Sequence, residues 1–267
     1  KHPWRTNVTP EPHPVVILCG GMGIRMGDDR PKMLVRVGGR PILWHVMKIY
    51  AAQGFTDFIL ALGYRGRDIK RYFLHYNAMS RDFTLRLDGE PGVTYHGPSP
   101  QTGWTITFAD TGLHTKTGSR IRKLAQYLEA DTFFATYGDG VADIDLHELL
   151  AFHRKMGLVA TVTGVRSFSR FGVLHTDEQG VATRFEEKPL VEASINGGFF
   201  VFERDIFDYL GEGDDVILER EPLVRLVADR QLAVYQHTGF WRAMDTFKDA
   251  RAMDAMWRER APWKVWD

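Results

Sequence analysis

The chemistry in this chain begins at Gly20-Gly21-Met22-Gly23-Ile24-Arg25. Three glycines in four residues let a backbone approach a ligand closely, and unpaired N–H groups in such a turn make an anion nest. Arg25 and Lys32 add positive charge where a polyphosphate would lie, and Arg30 can join them. A dinucleotide fingerprint also needs a further glycine and an acidic residue about 20 positions on, at the end of the second strand. Here the last glycine is displaced and that strand ends in Gly63-Tyr64. A P-loop needs Gly-Lys-Ser/Thr, which the chain lacks. Two readings stay open: a loop cradling a nucleoside triphosphate, and a plain glycine turn with solvated basic residues.

Carboxylates come next. Asp139 follows an apolar run in Tyr137-Gly138-Asp139-Gly140. An aspartate there suits Mg²⁺, which takes one or two carboxylates plus phosphate and water oxygens; an Asp-Gly turn is the alternative. Asp143 and Asp145 follow closely, and Asp145 reads as a helix N-cap with Glu148 at N3. Asp245 precedes Thr246, and its local sequence favours an N-cap over a metal ligand. Ten histidines are scattered with no triad and no H-E-x-x-H spacing. Cys19, the single cysteine, ends an apolar run and reads as a core residue rather than a reactive thiol.

These residues need elements to position them. Val15 to Cys19, Phe58 to Leu62 and Thr132 to Tyr137 are short apolar runs bounded by glycine, the pattern of strands buried on both faces. Between the first two, Pro41 opens a helix, with Ile42, Val46, Ile49 and Tyr50 at helical spacing. Ile69, Tyr72, Phe73 and Tyr76 mark a second helix, and Ile121 to Leu128 a third. Strand, helix and strand in this order imply a parallel sheet. Residues 77–117, rich in Thr, Gly, Pro and aromatics, read as short strands and loops. Leu158 to Val165 and Leu232 to His237 read as strands, Leu218 to Ala228 and Thr246 to Trp257 as helices. The expectation is an arm over 1–14 and one mixed α/β domain over 15–267, with a small inserted β-rich lobe.

Composition narrows the partners. The 267 residues carry 34 Lys+Arg and 34 Asp+Glu, so no basic excess points to nucleic acid or an anionic membrane. No apolar run approaches the ~18 residues of a membrane helix. One cysteine permits no internal disulfide, and the Pro-rich start has no apolar core for a signal peptide, so the expected compartment is the cytosol. The seven tryptophans suit core or subunit contacts, and the Pro-rich arm and Trp-rich C-terminus suit a homo-oligomer.

The ordered set of motifs resembles the sugar-1-phosphate nucleotidylyltransferases. Gly20-Gly21-x-Gly23-x-Arg25 with Pro31-Lys32 is similar to their signature. Gly39 to Tyr50, Gly63-Tyr64-Arg65-Gly66, Thr117-Gly118-Ser119-Arg120 and Tyr137 to Asp143 resemble the glucose-1-phosphate cytidylyltransferases among them. So do Phe171-Gly172, Glu187-Lys188-Pro189, Ile195 to Phe200 and Gly239-Phe240-Trp241 with Met244-Asp245-Thr246. The resemblance implies a Rossmann-like nucleotidyltransferase fold, its mixed, mostly parallel sheet flanked by helices. It implies Mg²⁺-dependent transfer of CMP from CTP to α-D-glucose 1-phosphate, giving CDP-glucose, a deoxysugar precursor, and pyrophosphate.

By the same resemblance Gly20, Gly21 and Gly23 cradle the nucleotide, and Arg25 and Lys32 contact its phosphates as the catalytic pair. Arg120 helps read the cytosine, and Asp139 and Asp245 hold the metal. Tyr137, Gly172, Glu187, Lys188 and Asn196 bind the sugar phosphate. Ile24 stands where the family has Thr, the loop from Gly27 to Arg30 is about three residues short, Lys32 lacks a following Pro, and Ser119 replaces a Gly. These departures lie on the donor side, so another base or sugar is the alternative within the class. A catalytically silent sugar-nucleotide-binding regulator is the alternative outside it.

Overall fold

A computed structural model describes residues 13–21, 31–87, 92–99, 101, 103–166, 171–188 and 193–266. The strand Val15–Leu18 is buried along its whole length. It pairs in parallel with Asp57–Leu62 on one side and Thr132–Tyr137 on the other. Thr105–Asp110 extends the first flank in parallel. On the second flank, Phe200–Glu203 pairs antiparallel with both Thr132–Tyr137 and Ala160–Val165. Leu232–His237 then runs parallel to Ala160–Val165. With Ile195–Asn196, eight strands of the described residues form one mixed, mostly parallel sheet.

Alternation explains the two layers. Val15 and Ile17 point to one face, into a core with Val46, Tyr50, Phe134 and Trp263. Val16 and Leu18 point to the other, into a core with Ile121, Phe200, Phe202 and Leu226. A strand covered on both sides reads as a continuous apolar run for this reason. The helix Ile42–Ala51 covers the first face and buries eight of its ten side chains.

Several boundaries differ from the sequence expectation. Pro41 is extended and pairs with Arg36, so the helix begins at Ile42. The third helix runs Thr117–Lys123 and gives way to a 3-10 turn over Ala125–Tyr127. The stretch 77–117 divides. Phe83–Arg86 and Gly92–Tyr95 make a separate hairpin, while Thr105–Asp110 returns to the main sheet as its edge. A second hairpin joins Val173–Thr176 to Ala182–Glu186. Cys19 is buried as expected of a core residue, and burial pushes its thiol far above the ordinary range. Among the described residues, no helix is long and apolar enough to cross a membrane.

Candidate active site

Leu18, Leu62, Asp110 and Tyr137 end four parallel strands along one edge of the sheet. From the central strand the chain passes first to one neighbour and later to the other. Ligands of open α/β sheets sit in the crevice that such a reversal opens beyond the carboxyl ends. A cavity of about 570 Å³ lies there, and Gly20, Gly21, Lys32, Arg120, Tyr137, Asp139 and Asp245 all line it.

Lys32 enters on a 3-10 turn, Lys32–Leu34, that follows Pro31. The turn sits close because Gly138 has no side chain; a Cβ there would collide with Met33. Lys32 Nζ lies 2.5 Å from Asp139 Oδ2 and 3.0 Å from Asp245 Oδ1. Burial alone would depress the lysine pKa, but the two carboxylates outweigh it and hold it above its ordinary value.

The two aspartates are 106 positions apart in sequence by number alone, yet backbone pairing sets them side by side. Trp241–Ala243 pairs antiparallel with Gly140–Ala142, and Met244 N–H donates to Asp139 O at 2.9 Å. Asp245 does not cap the following helix, which is where its local sequence pointed. Thr246 does: its hydroxyl accepts from Asp249 N–H, and the Asp249 carboxylate accepts from Thr246 N–H in return. The Asp245 carboxylate is thereby left to face Lys32. Asp145 does cap its helix, accepting from Glu148 N–H at 2.9 Å.

Two carboxylates already gathered on one shared cation are a donor set that fits a hard divalent ion. Among the described residues no group of three or more His, Cys, Asp or Glu could hold a metal. Mg²⁺ takes one or two carboxylates and completes its shell with water and substrate phosphate.

Arg120 is 4% exposed. Its guanidinium donates to the carbonyls of Leu62 (3.0 Å), Gly112 (2.9 Å), Gly20 (3.1 Å) and Leu113 (3.4 Å), and to Thr111 Oγ1 (2.5 Å). It clamps the glycine turn to the ends of two neighbouring strands. A Cβ at Gly20 or Gly63 would strike the guanidinium, so both glycines are there for close approach. The carbonyls and one hydroxyl engage its donors, so it shapes the cavity wall. Ser119 turns inward, where its hydroxyl accepts from Val216 N–H at 3.0 Å.

On the opposite wall, the Tyr137 hydroxyl donates to Glu219 and accepts from Asn196 Nδ2 at 3.3 Å. Burial first, and then Glu219, push the Tyr137 phenol well above its ordinary range. Gly172, Glu187 and Lys188 sit at the ends of the second hairpin, outside the cavity lining. There the Glu187 and Lys188 side chains pair with each other at 3.4 Å, both more than half exposed. Gly23 and Arg25 lie outside the described residues.

The cavity also contains residues that carried no assignment from sequence: Thr115, Lys116, Thr117 and Glu219. Thr117 stood inside a recognised motif. Glu219 had no local signal, because its partner Tyr137 is 82 residues away.

The sequence profile described as Nucleotidyl transferase matches residues 14–253. A Bacillus subtilis (strain 168) protein named "Probable glucose-1-phosphate cytidylyltransferase" is 47% identical over 255 residues, covering 94% of this chain and 99% of that one. The glucose-1-phosphate cytidylyltransferase of Salmonella typhi is 40% identical over 258 residues, with the same coverage. Among solved structures, HddC from Yersinia pseudotuberculosis complexed with GMP-PN superposes with a TM-score of 0.68 at 20% identity. It covers 92% of this chain and 99% of that one.

Proposed function

The chain belongs to the nucleotidyl transferase family, and we propose that it transfers CMP from CTP to α-D-glucose 1-phosphate, releasing pyrophosphate and forming CDP-glucose. The observation that carries this reading is identity of 40–47% to glucose-1-phosphate cytidylyltransferases over 94% of the chain. The gathering of Lys32, Asp139 and Asp245 at the carboxyl edge of the sheet supports it.

The acceptor phosphate has a second pKa near ~6, so its oxygen is largely ionised at neutral pH and no general base is required. That oxygen attacks the α-phosphorus of CTP in line. A new P–O bond forms, the bond between the α-phosphorus and the bridging oxygen breaks, and the electron pair leaves with pyrophosphate. The difficulty is charge: two anions must meet, and the leaving group gains more. Gly20, Gly21 and Gly23 cradle the donor, and Lys32 and Arg25 neutralise its phosphates. Arg120 holds the wall against which cytosine rests. Asp139 and Asp245 would hold a Mg²⁺ ion, which when bound would supply Lewis-acid stabilisation of the charge that develops on the phosphates. Tyr137 and Asn196 bound the hexose side, and Gly172, Glu187 and Lys188 are assigned to the sugar phosphate by their motifs alone. The same reading places the protein in the cytosol as a homo-oligomer.

Pyrophosphate release tests the assignment. The protein is incubated with Mg²⁺, glucose 1-phosphate and each nucleoside triphosphate in turn. Release with CTP is the expected result. Release with UTP or dTTP alone would move the donor base, and silence with every pair would favour a sugar-nucleotide-binding regulator.

A further inference from the structure

Glu219 has a fixed geometry that the transfer mechanism above does not use. It lines the same cavity as Lys32 and Asp139. A carboxylate repels the phosphates of the substrates and accepts hydrogen bonds from neutral donors such as hydroxyls. It belongs to no metal-binding cluster among the described residues.

Its two oxygens are held by two hydroxyls. Thr117 Oγ1 accepts from Leu218 N–H at 2.9 Å, so its own proton goes to Glu219 Oε2 at 2.7 Å. The Tyr137 hydroxyl sends its proton to Oε1. Each carboxylate oxygen accepts twice, so one acceptor position on each remains. Two such positions side by side match a vicinal pair of hydroxyls, whose two protons both need acceptors.

The supporting backbone is stiff. Gly118 N–H and Ser119 N–H both donate to Val216 O, at 2.9 and 3.1 Å, and Lys116 N–H donates to Asp214 O at 2.8 Å. The Glu219 loop is therefore laced to the start of the helix that carries Thr117. On the far side, Asn196 Oδ1 accepts from Gly198 N–H at 2.9 Å, which turns its NH₂ toward Tyr137. Asn196, Tyr137 and Glu219 form one hydrogen-bonded row.

We propose that Glu219 binds a vicinal diol of the hexose ring in the acceptor, making it a specificity residue for the sugar. This rests on the reading of the cavity as a site for a sugar phosphate. The ribose of the donor carries the same chemistry. The roles proposed above for Asn196 and Tyr137 favour the acceptor, and the donor ribose is an outcome of the test.

The test uses the full chain and its pyrophosphate release with CTP. Glucose 1-phosphate is compared with its 2-deoxy, 3-deoxy and 4-deoxy analogues, for the unaltered protein, Glu219→Ala and Glu219→Gln. A hydrogen bond to a charged group corresponds to about 10- to 100-fold. Glu219→Ala should raise KM for glucose 1-phosphate by that factor and leave KM for CTP little changed. At least one deoxy analogue should cost the unaltered protein a similar factor and cost Glu219→Ala nothing further. Glu219→Gln, which keeps the shape and the loop, should show the same loss of discrimination in weaker form.

Losses that simply multiply between residue and hydroxyl would overturn the proposal. So would a KM change confined to CTP, or a synergy that appears only with 2′-deoxy- or 3′-deoxy-CTP. If the unaltered protein released no pyrophosphate from CTP and glucose 1-phosphate, the transfer reading would fall, and this proposal with it. Ordinary activity without synergy would remove this proposal alone.

Discussion

Replacing Lys32 by methionine keeps the apolar stem and removes the charge. Its nitrogen stands 2.5 Å from one aspartate oxygen and 3.0 Å from the other. Those oxygens are then within about 5.5 Å of each other, and two unit charges at that separation repel by about 3 kcal/mol at an effective dielectric constant near 20. The Asp245 side chain is about one-third exposed, and solvent screening reduces the cost to about 1–2 kcal/mol. Thermal unfolding should then fall by about 2–4 °C for a chain of this size. Mg²⁺ or Mn²⁺ should return most of that loss in Lys32→Met, because a cation again joins the two carboxylates. Turnover should drop by ~100-fold or more, the scale of one missing electrostatic stabiliser. Paired melting curves with and without Mn²⁺, read beside pyrophosphate release, check both halves. Near-normal turnover, or a melting temperature that neither the substitution nor the ion moves, would refute the reasoning.

Other outcomes follow from the same structure. Lys188→Ala should raise KM for glucose 1-phosphate more than KM for CTP; an effect on the nucleotide alone would contradict its placement. Arg120→Lys exchanges a five-donor fork for three donors and leaves buried carbonyls unpaired, at a cost of about 2–3 kcal/mol in urea unfolding. It should also raise KM for CTP as the glycine turn loosens, and unchanged stability would show that the clamp is dispensable. His45 is buried, with Nε2 2.8 Å from Val37 O and Nδ1 3.4 Å from Trp263 Nε1. Burial is the main reason its pKa falls from 6.5 to about 4. The unfolded chain therefore takes up a proton that the fold refuses, and stability present above pH 6.5 is lost as pH falls toward 4, by about 3 kcal/mol over that span. Tryptophan-detected urea melts across this range should show that slope, and His45→Gln should flatten it.

What could be read from the sequence follows physical range. The buried strands Val15–Leu18, Asp57–Leu62 and Thr132–Tyr137 were legible because each is a local apolar run bounded by glycine. The edge strand Thr105–Asp110 was not. Its Thr-rich, half-exposed sequence resembles a surface hairpin, and only its parallel register with Asp57–Leu62 places it in the main sheet. Asp139 was legible as a carboxylate at a strand end. Asp245 resembles a cap locally because the true capping pair, Thr246 and Asp249, begins one residue later. What sets Asp245 beside Asp139 is a two-stranded ladder between segments about 100 residues apart, and no short window contains that. Glu219 was invisible for the same reason, since its partners Thr117 and Tyr137 come from other elements.

The central claim is that Lys32 and the Asp139–Asp245 pair mark the place where the two substrates meet. Crystals grown with a non-hydrolysable CTP analogue, glucose 1-phosphate and Mn²⁺ address it directly through the anomalous signal of the metal. The account predicts a manganese peak between Asp139 and Asp245, with the donor phosphates against Lys32 and the hexose beside Tyr137. A peak elsewhere, with both substrates seated away from these three side chains, would contradict it.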